Sequence, residues 1–194
     1  MTVGILGGTF DPPHVGHVAL ARAALSELPI DRLVVVPVGE APHKPVETNA
    51  ETRFRLVEAA FAGEPDVEVS RHELDRAGPS YTVDTARWTA QRYGDAIFLV
   101  GADEFADFLS WREPDAILEL ARIAVATRTG SDPERLAAVR AGLARPERVL
   151  ELPFEPLAVS SSDIRERVAR GEPIEGLVPD AVARLVAELA LYRG

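Results

Sequence analysis

Apolar residues follow two rhythms along this chain. Short continuous apolar runs read as strands buried on both faces, the pattern of a parallel sheet. They lie at residues 3–6, 32–37, 67–70, 96–100, 123–127 and 148–152. Between them, apolar positions three and four apart predict helices over 15–28, 50–62, 82–93, 114–121 and 133–144. Thr48-Asn49-Ala50-Glu51 has capping-box spacing ahead of the second helix. Strand and helix alternate, so the expected fold is α/β, a doubly wound Rossmann-like parallel sheet. After residue 155 the strands stop. Two more helices are expected, over 161–170 with Gly171 as its stop and over 179–191. They form a small C-terminal helical part on a core of residues 1–155, within a single domain of residues 1–194. Ligands of such sheets sit beyond the carboxyl ends of the strands, which singles out the segments 7–17, 39–45 and 101–111.

Composition narrows the function. With 46% hydrophobic residues the chain can build a real core. It contains no cysteine, which excludes disulfides and thiolate metal sites. No apolar run approaches the roughly 18 residues of a membrane span. The first strand starts at Thr2 or Val3, so no charged-then-apolar leader is expected, and the chain reads as cytoplasmic. A formal charge of −10 argues against a general nucleic-acid surface, although one focused site can still bind a polyanion. Of the 21 basic residues only Lys44 is a lysine. The bias toward arginine fits genomic base composition. Oligomeric state is not fixed by the sequence, and a homo-oligomer stays open.

The most informative block is Gly7-Gly8-Thr9-Phe10-Asp11-Pro12-Pro13-His14-Val15-Gly16-His17. It reads as a strand end, a glycine turn and a helix start. Glycines let backbone approach a ligand, and a helix N-terminus offers free N–H groups to an anion. His14 and His17, three apart, project from one side of the first turn. They suit hydrogen bonding to a phosphate or acid/base work. Too few ligands stand nearby for a zinc site, and Asp11 is placed as a helix N-cap. Ser160-Ser161-Ser162-Asp163-Ile164-Arg165 opens a helix with hydroxyls and an arginine one turn in, as a phosphate cradle or as plain N-capping. Lys44, beside His43 in a loop over the strand ends, is either a point charge for a second phosphate or a solvated residue. Asp103, after Gly101 at a strand end, either binds a ribose hydroxyl or caps a short helix. Trp111 is a packing residue or a flat wall for an aromatic ring, and Trp88 reads as core.

Together these pieces resemble the nucleotidyltransferase superfamily with its H-x-G-H signature, and more closely the bacterial nicotinate-nucleotide adenylyltransferases. The matching motifs run nearly end to end: GGTFDPPHVGH at 7–17, PHK at 42–44, Arg53, Glu73-Leu74, Pro79-Ser80-Tyr81-Thr82, GAD at 101–103, Trp111, Arg128, SSSDIR at 160–165, Leu177-Val178-Pro179 and Leu191-Tyr192. The resemblance implies transfer of AMP from ATP to nicotinic acid mononucleotide, giving deamido-NAD and pyrophosphate, with Mg²⁺ bound through the ATP phosphates rather than by protein ligands. By that resemblance His14, His17 and Arg165 are catalytic. Gly8, Thr9, Phe10, Gly101, Asp103, Ser161 and Ser162 join His17 and Arg165 around ATP. Lys44, Thr82, Trp111 and Arg112 meet the mononucleotide. Arg53, Arg128, Arg165 and Lys44 are expected to make the site locally positive within an acidic protein. The family usually has Ser-Thr where this chain has Ser161-Ser162, which preserves a hydroxyl. The alternatives are adenylyl transfer to nicotinamide mononucleotide or phosphopantetheine, or a non-catalytic adenine-nucleotide sensor.

Overall fold

The computed structural model describes residues 1–42, 46–127 and 130–193. Six parallel strands form one sheet: β1 (Thr2–Gly8), β2 (Arg32–Pro37), β3 (Val67–Val69), β4 (Asp95–Gly101), β5 (Arg122–Thr127) and β6 (Val149–Pro153). Their order is β3-β2-β1-β4-β5-β6. Ile5 of β1 lies between Val34 of β2 and Phe98 of β4. The helices are α1 (Val15–Glu27), α2 (Ala50–Phe61), α3 (Thr82–Tyr93), α4 (Ala102–Phe105), α5 (Pro114–Leu120), α6 (Pro133–Ala141), α7 (Ser161–Ala169) and α8 (Asp180–Glu188).

The continuous apolar runs are explained by two cores, one on each face of the sheet. Along β2, Leu33 and Val35 join one core while Val34 and Val36 join the other. The first core receives Val18 and Ala21 of α1, Leu56 and Val57 of α2, Ile164 of α7 and Val182 and Val186 of α8. The C-terminal helices are therefore packed into the main core. The second core takes Val83 of α3, Phe105 of α4, Phe108, and Ile117 and Leu118 of α5.

Three local details differ from the sequence pattern. Gly7 and Gly8 remain paired within the sheet, opposite Val36 and Pro37, so the turn begins two residues later, at Thr9. The cap of α2 is Asn49, whose side chain accepts from the Thr52 N–H, rather than a box begun at Thr48. Helix α8 ends at Glu188, three residues short of the apolar pattern. Its end is a Schellman turn: Leu191 N–H bonds Val186 O, Ala190 N–H bonds Ala187 O, and Ala190 is left-handed with φ 51°. The sheet's direction of winding reverses between β1 and β4, and the crevice beyond their carboxyl ends is where the site lies.

Candidate active site

The segment after β1 is held in an unusual shape. Phe10 is buried with φ 52°, and the Asp11–Pro12 bond is cis. Asp11 is not the cap of α1, contrary to the sequence reading, since His14 holds the N-cap position. Instead Asp11 is buried, and its carboxylate gathers three distant groups. Oδ2 accepts from the backbone N–H groups of Glu47 (3.1 Å) and Thr48 (3.3 Å), and Oδ1 accepts from the Tyr192 hydroxyl (2.7 Å).

His14 and His17 do share one side of the helix start, where their rings stack at 3.7 Å. Gly16 is required by that stack: a Cβ there would stand 2.9 Å from His14 Nδ1. The Phe10 ring meets His17 edge-on at 4.9 Å. The His14 backbone N–H donates to His17 Nδ1 at 3.1 Å. Nδ1 is therefore the acceptor, and in neutral His17 the proton sits on Nε2. Burial favours that neutral form and pushes His17 down to about 3, with the neighbouring His14 adding to the effect. Burial likewise pushes His14 down to about 4. Near pH 7 both act as uncharged hydrogen-bonding groups.

Helix α7 docks against the same loop. Ser160 supplies its N-cap, its Oγ accepting from Asp163 N–H at 3.1 Å. Ser161 Oγ donates to Pro12 O (2.8 Å), and Arg165 Nη1 donates to Asp11 O (2.8 Å). Arg165 Nε also pairs with Glu47 at 2.8 Å. Capping thus uses one serine, the second serine ties helix to loop, and Ser162 is left exposed at the helix mouth. Arg53 plays a part different from the one its charge suggested. It is 1% exposed and donates to three carbonyls: Thr9 (2.8 Å), Thr48 (3.0 Å) and Gly39 (3.1 Å). It braces the loops from behind and makes no wall of the site.

Three adjoining cavities run across the strand ends. The central one, about 590 Å³, is lined by Gly8, Thr9, Phe10, His17, Gly101, Thr82, Trp111, Ser161, Ser162 and Arg165. It shares Leu20, Gly101 and Glu104 with a cavity of about 680 Å³ walled by Asp103, Phe154, Leu157 and Val159. On the other side it shares Ser80, Thr82 and Trp111 with one of about 480 Å³, which adds Tyr81, Asp107 and Arg112. Trp111 packs on Phe108 at 5.1 Å and also lines this cavity. The Arg112 guanidinium lies 4.7 Å over the Tyr81 ring, at that cavity. His14 lies behind His17 rather than among the cavity-lining residues. Trp88 is half-buried and stacks on His72 at 4.1 Å. Lys44, His43 and Arg128 lie outside the described residues.

Sequence reasoning gave no role to Glu104, Glu47, Phe154 or Leu157. Only Glu104, next to Gly101-Ala102-Asp103, carried a local signal. Glu73 was visible only as part of a motif. It is buried, accepts from Thr85 Oγ1, and also bonds Ser80 and the Gly39 backbone. Burial raises its carboxyl above the usual range. Among the described residues no group of three or more His, Asp or Glu side chains is disposed to hold a metal ion.

The cytidylyltransferase-like family model matches residues 5–167. A Bordetella petrii protein named as a probable nicotinate-nucleotide adenylyltransferase is 43% identical, covering 98% of this chain and 98% of its own. The chain belongs to the nicotinate-nucleotide adenylyltransferase family. A Rubrobacter xylanophilus member with the same name is 39% identical, over 100% of this chain and 92% of its own. Among solved structures, the Plasmodium falciparum nicotinic acid mononucleotide adenylyltransferase complexed with NaAD superposes with a TM-score of 0.80. That similarity covers 98% of this chain and 97% of the other at 16% identity, and speaks to the fold. In this member of the nicotinate-nucleotide adenylyltransferase family the strand ends, the H-x-G-H turn and the Ser161–Arg165 segment line one cavity.

Proposed function

We propose that the protein transfers the AMP moiety of ATP to nicotinic acid mononucleotide, giving deamido-NAD and pyrophosphate in NAD biosynthesis. The observation that carries this reading is the row of three cavities. The cavity of Asp103 and Leu157 takes adenosine. The central cavity takes the reacting phosphates. The cavity of Thr82, Trp111 and Arg112 takes the nicotinate ring and its carboxylate. Lys44 is assigned to the mononucleotide phosphate from the family pattern alone.

The chemistry needs no protein nucleophile. The phosphate monoester of the mononucleotide is already ionised near pH 7, so it attacks the α-phosphorus directly. A new O–P bond forms as the bond from the α-phosphorus to the bridging oxygen of pyrophosphate breaks, and negative charge moves onto the leaving group. Positioning and charge stabilisation supply the catalysis. His17 Nε2–H, Arg165 and the N-terminal N–H groups of α7 are the donors that meet this charge. His14 fixes the His17 proton on Nε2 through its backbone N–H. Mg²⁺ would arrive on the phosphate oxygens of ATP and supply charge neutralisation there. The cytoplasm, where ATP and the mononucleotide are found, is the inferred compartment.

Pyrophosphate release from ATP should be measured with nicotinic acid mononucleotide, nicotinamide mononucleotide and phosphopantetheine in turn. Strong preference for the first is expected. Equal or greater turnover with either of the others would overturn the substrate assignment, and ATP binding without release would point to a sensor.

A further inference from the structure

The C-terminal tail reaches into the active site by a costly route. Past α8 the chain turns at Ala190 (φ 51°) and again at Tyr192 (φ 59°), left-handed conformations disfavoured for residues that carry a side chain. Those turns pack Leu191 and Tyr192 against the core and bring the Tyr192 hydroxyl to Asp11 and Thr48. The Tyr192 hydroxyl donates to Asp11 Oδ1 at 2.7 Å, across 181 residues of sequence. Asp11 is 4% exposed, and its other oxygen holds the backbone N–H groups of Glu47 and Thr48. Its own carbonyl receives Arg165, and the carbonyl of the next residue, Pro12, receives Ser161. Asp11 is thus the knot through which the loop after β1, the segment before α2 and helix α7 meet.

We propose that Tyr192 is a positioning residue of the active site. Its hydroxyl fixes the Asp11 carboxylate and so sets the loop that presents His17 and Arg165 to the phosphates of ATP. It does not touch substrate. Removing the hydroxyl leaves Asp11 Oδ1 buried without a partner, and the loop must shift or admit water to satisfy it. A shift of about 1 Å at reacting groups can cost on the order of 100-fold in rate. The inference rests on the AMP-transfer reading for its kinetic form.

The test compares Tyr192→Phe with Val186→Ala, a core truncation in α8 that destabilises the same helix without touching the hydrogen bond. Tyr192→Phe is expected to lower kcat by about 10- to 100-fold. Its KM for ATP should rise, and its KM for nicotinic acid mononucleotide should stay within about twofold of wild type, as expected for a change confined to the phosphate side. Val186→Ala should lose at least as much Tm and keep kcat within about twofold. Wild-type kcat and KM for ATP in Tyr192→Phe would overturn the proposal. So would an equal kinetic loss in Val186→Ala, which would make the tail merely structural. If the wild-type protein releases no pyrophosphate, the substrate reading fails by itself. Calorimetric binding of a non-hydrolysable ATP analogue then carries the test, with weaker binding expected in Tyr192→Phe alone and unchanged binding refuting the proposal.

Discussion

On the side of the cleft proposed for the phosphates the loops are tied together by Asp11, Arg53 and Arg165, whereas on the side proposed for nicotinate Trp111 and Arg112 rest on neighbouring aromatic rings. Asp11, Arg53 and Arg165 between them bond the segments at 9–12, 39, 47–48 and the start of α7. Across the cleft Arg112 is exposed, resting on Tyr81, and Trp111 is half-buried at the end of a 3₁₀ turn, Phe108–Ser110. There the buried tie is one layer back, at Glu73, which grips Thr85 and Ser80 on either side of Thr82. The difference matches what each side is proposed to do. Charge that develops on a departing pyrophosphate is best met by donors already in place. A substrate ring needs a surface that can close on it.

The sharpest way to break this comparison is His17→Ala. Loss of a preplaced donor should cut kcat by about 10²–10⁴, with KM for the mononucleotide nearly unchanged in steady-state assays. A small effect on kcat would mean that the ordered phosphate side is not where the rate is made. Next in size is Arg53→Met. It fills much of the volume but leaves the carbonyls of Thr9, Thr48 and Gly39 without their donor, at a cost of about 3 kcal/mol in urea unfolding. Its kinetic loss should fall on both substrates, because Gly39 leads into the mononucleotide loop and Thr9 into the phosphate loop. A loss confined to ATP would separate the two halves more cleanly than drawn above.

The fold was legible in the sequence because its signals are local. Leu33-Val34-Val35-Val36 needs no distant partner to read as a two-faced strand, and Gly171 after α7 does lie left-handed with φ 71°. The site was legible as a set of side chains, since His17, Arg165, Thr82 and Trp111 do share one cavity. What the sequence did not disclose was the wiring. Asp11 looks like a cap because caps are made by near neighbours; its actual partners are 36, 37 and 181 residues away. Arg53 looks like a positive charge for the site until three carbonyls from separate loops are seen to converge on it. The end of α8 hid for a chemical reason, since its left-handed cap residue is Ala190 where glycine is the usual sign.

Falling and rising pH should act on the two sides in opposite senses. The folded-state pKa values of His14 and His17, about 4 and about 3, lie below the ordinary 6.5. Below pH 6.5 the unfolded chain therefore binds protons that the folded one refuses, and stability falls as pH drops toward 4 and 3. Each imidazole contributes about 1 kcal/mol per pH unit in that window. Glu73 is raised instead, so its contribution is present in acid and is lost as pH rises through its elevated range. Urea midpoints against pH should show His17→Gln flattening the fall toward acid and Glu73→Gln flattening the opposing loss that sets in as pH rises above the ordinary carboxylate range. ATP should make the wild-type acid limb shallower, since phosphate charge favours protonated imidazole and lets the folded chain take up part of those protons. A His17→Gln profile parallel to wild type below pH 6 would remove the neutral imidazole from this account.

The smallest expected effect bears on the open side. Arg112 carries a positive charge beside the cavity that also holds Thr82 and Trp111, and its nearest acidic neighbour, Glu113, is 3.7 Å from its Nε. The side chain is 55% exposed, so solvent screens its pull on a carboxylate. Arg112→Met keeps the apolar stem over Tyr81 and removes the charge. It should raise KM for nicotinic acid mononucleotide by about two- to fivefold, equivalent to roughly 0.4–1 kcal/mol, and leave kcat alone. KM for nicotinamide mononucleotide, which has an amide in place of the carboxylate, should hardly move, so the acid-to-amide preference narrows by the same factor. An unchanged preference would leave that choice to Thr82 and the backbone, and the nicotinate side would then be as preset as the phosphate side.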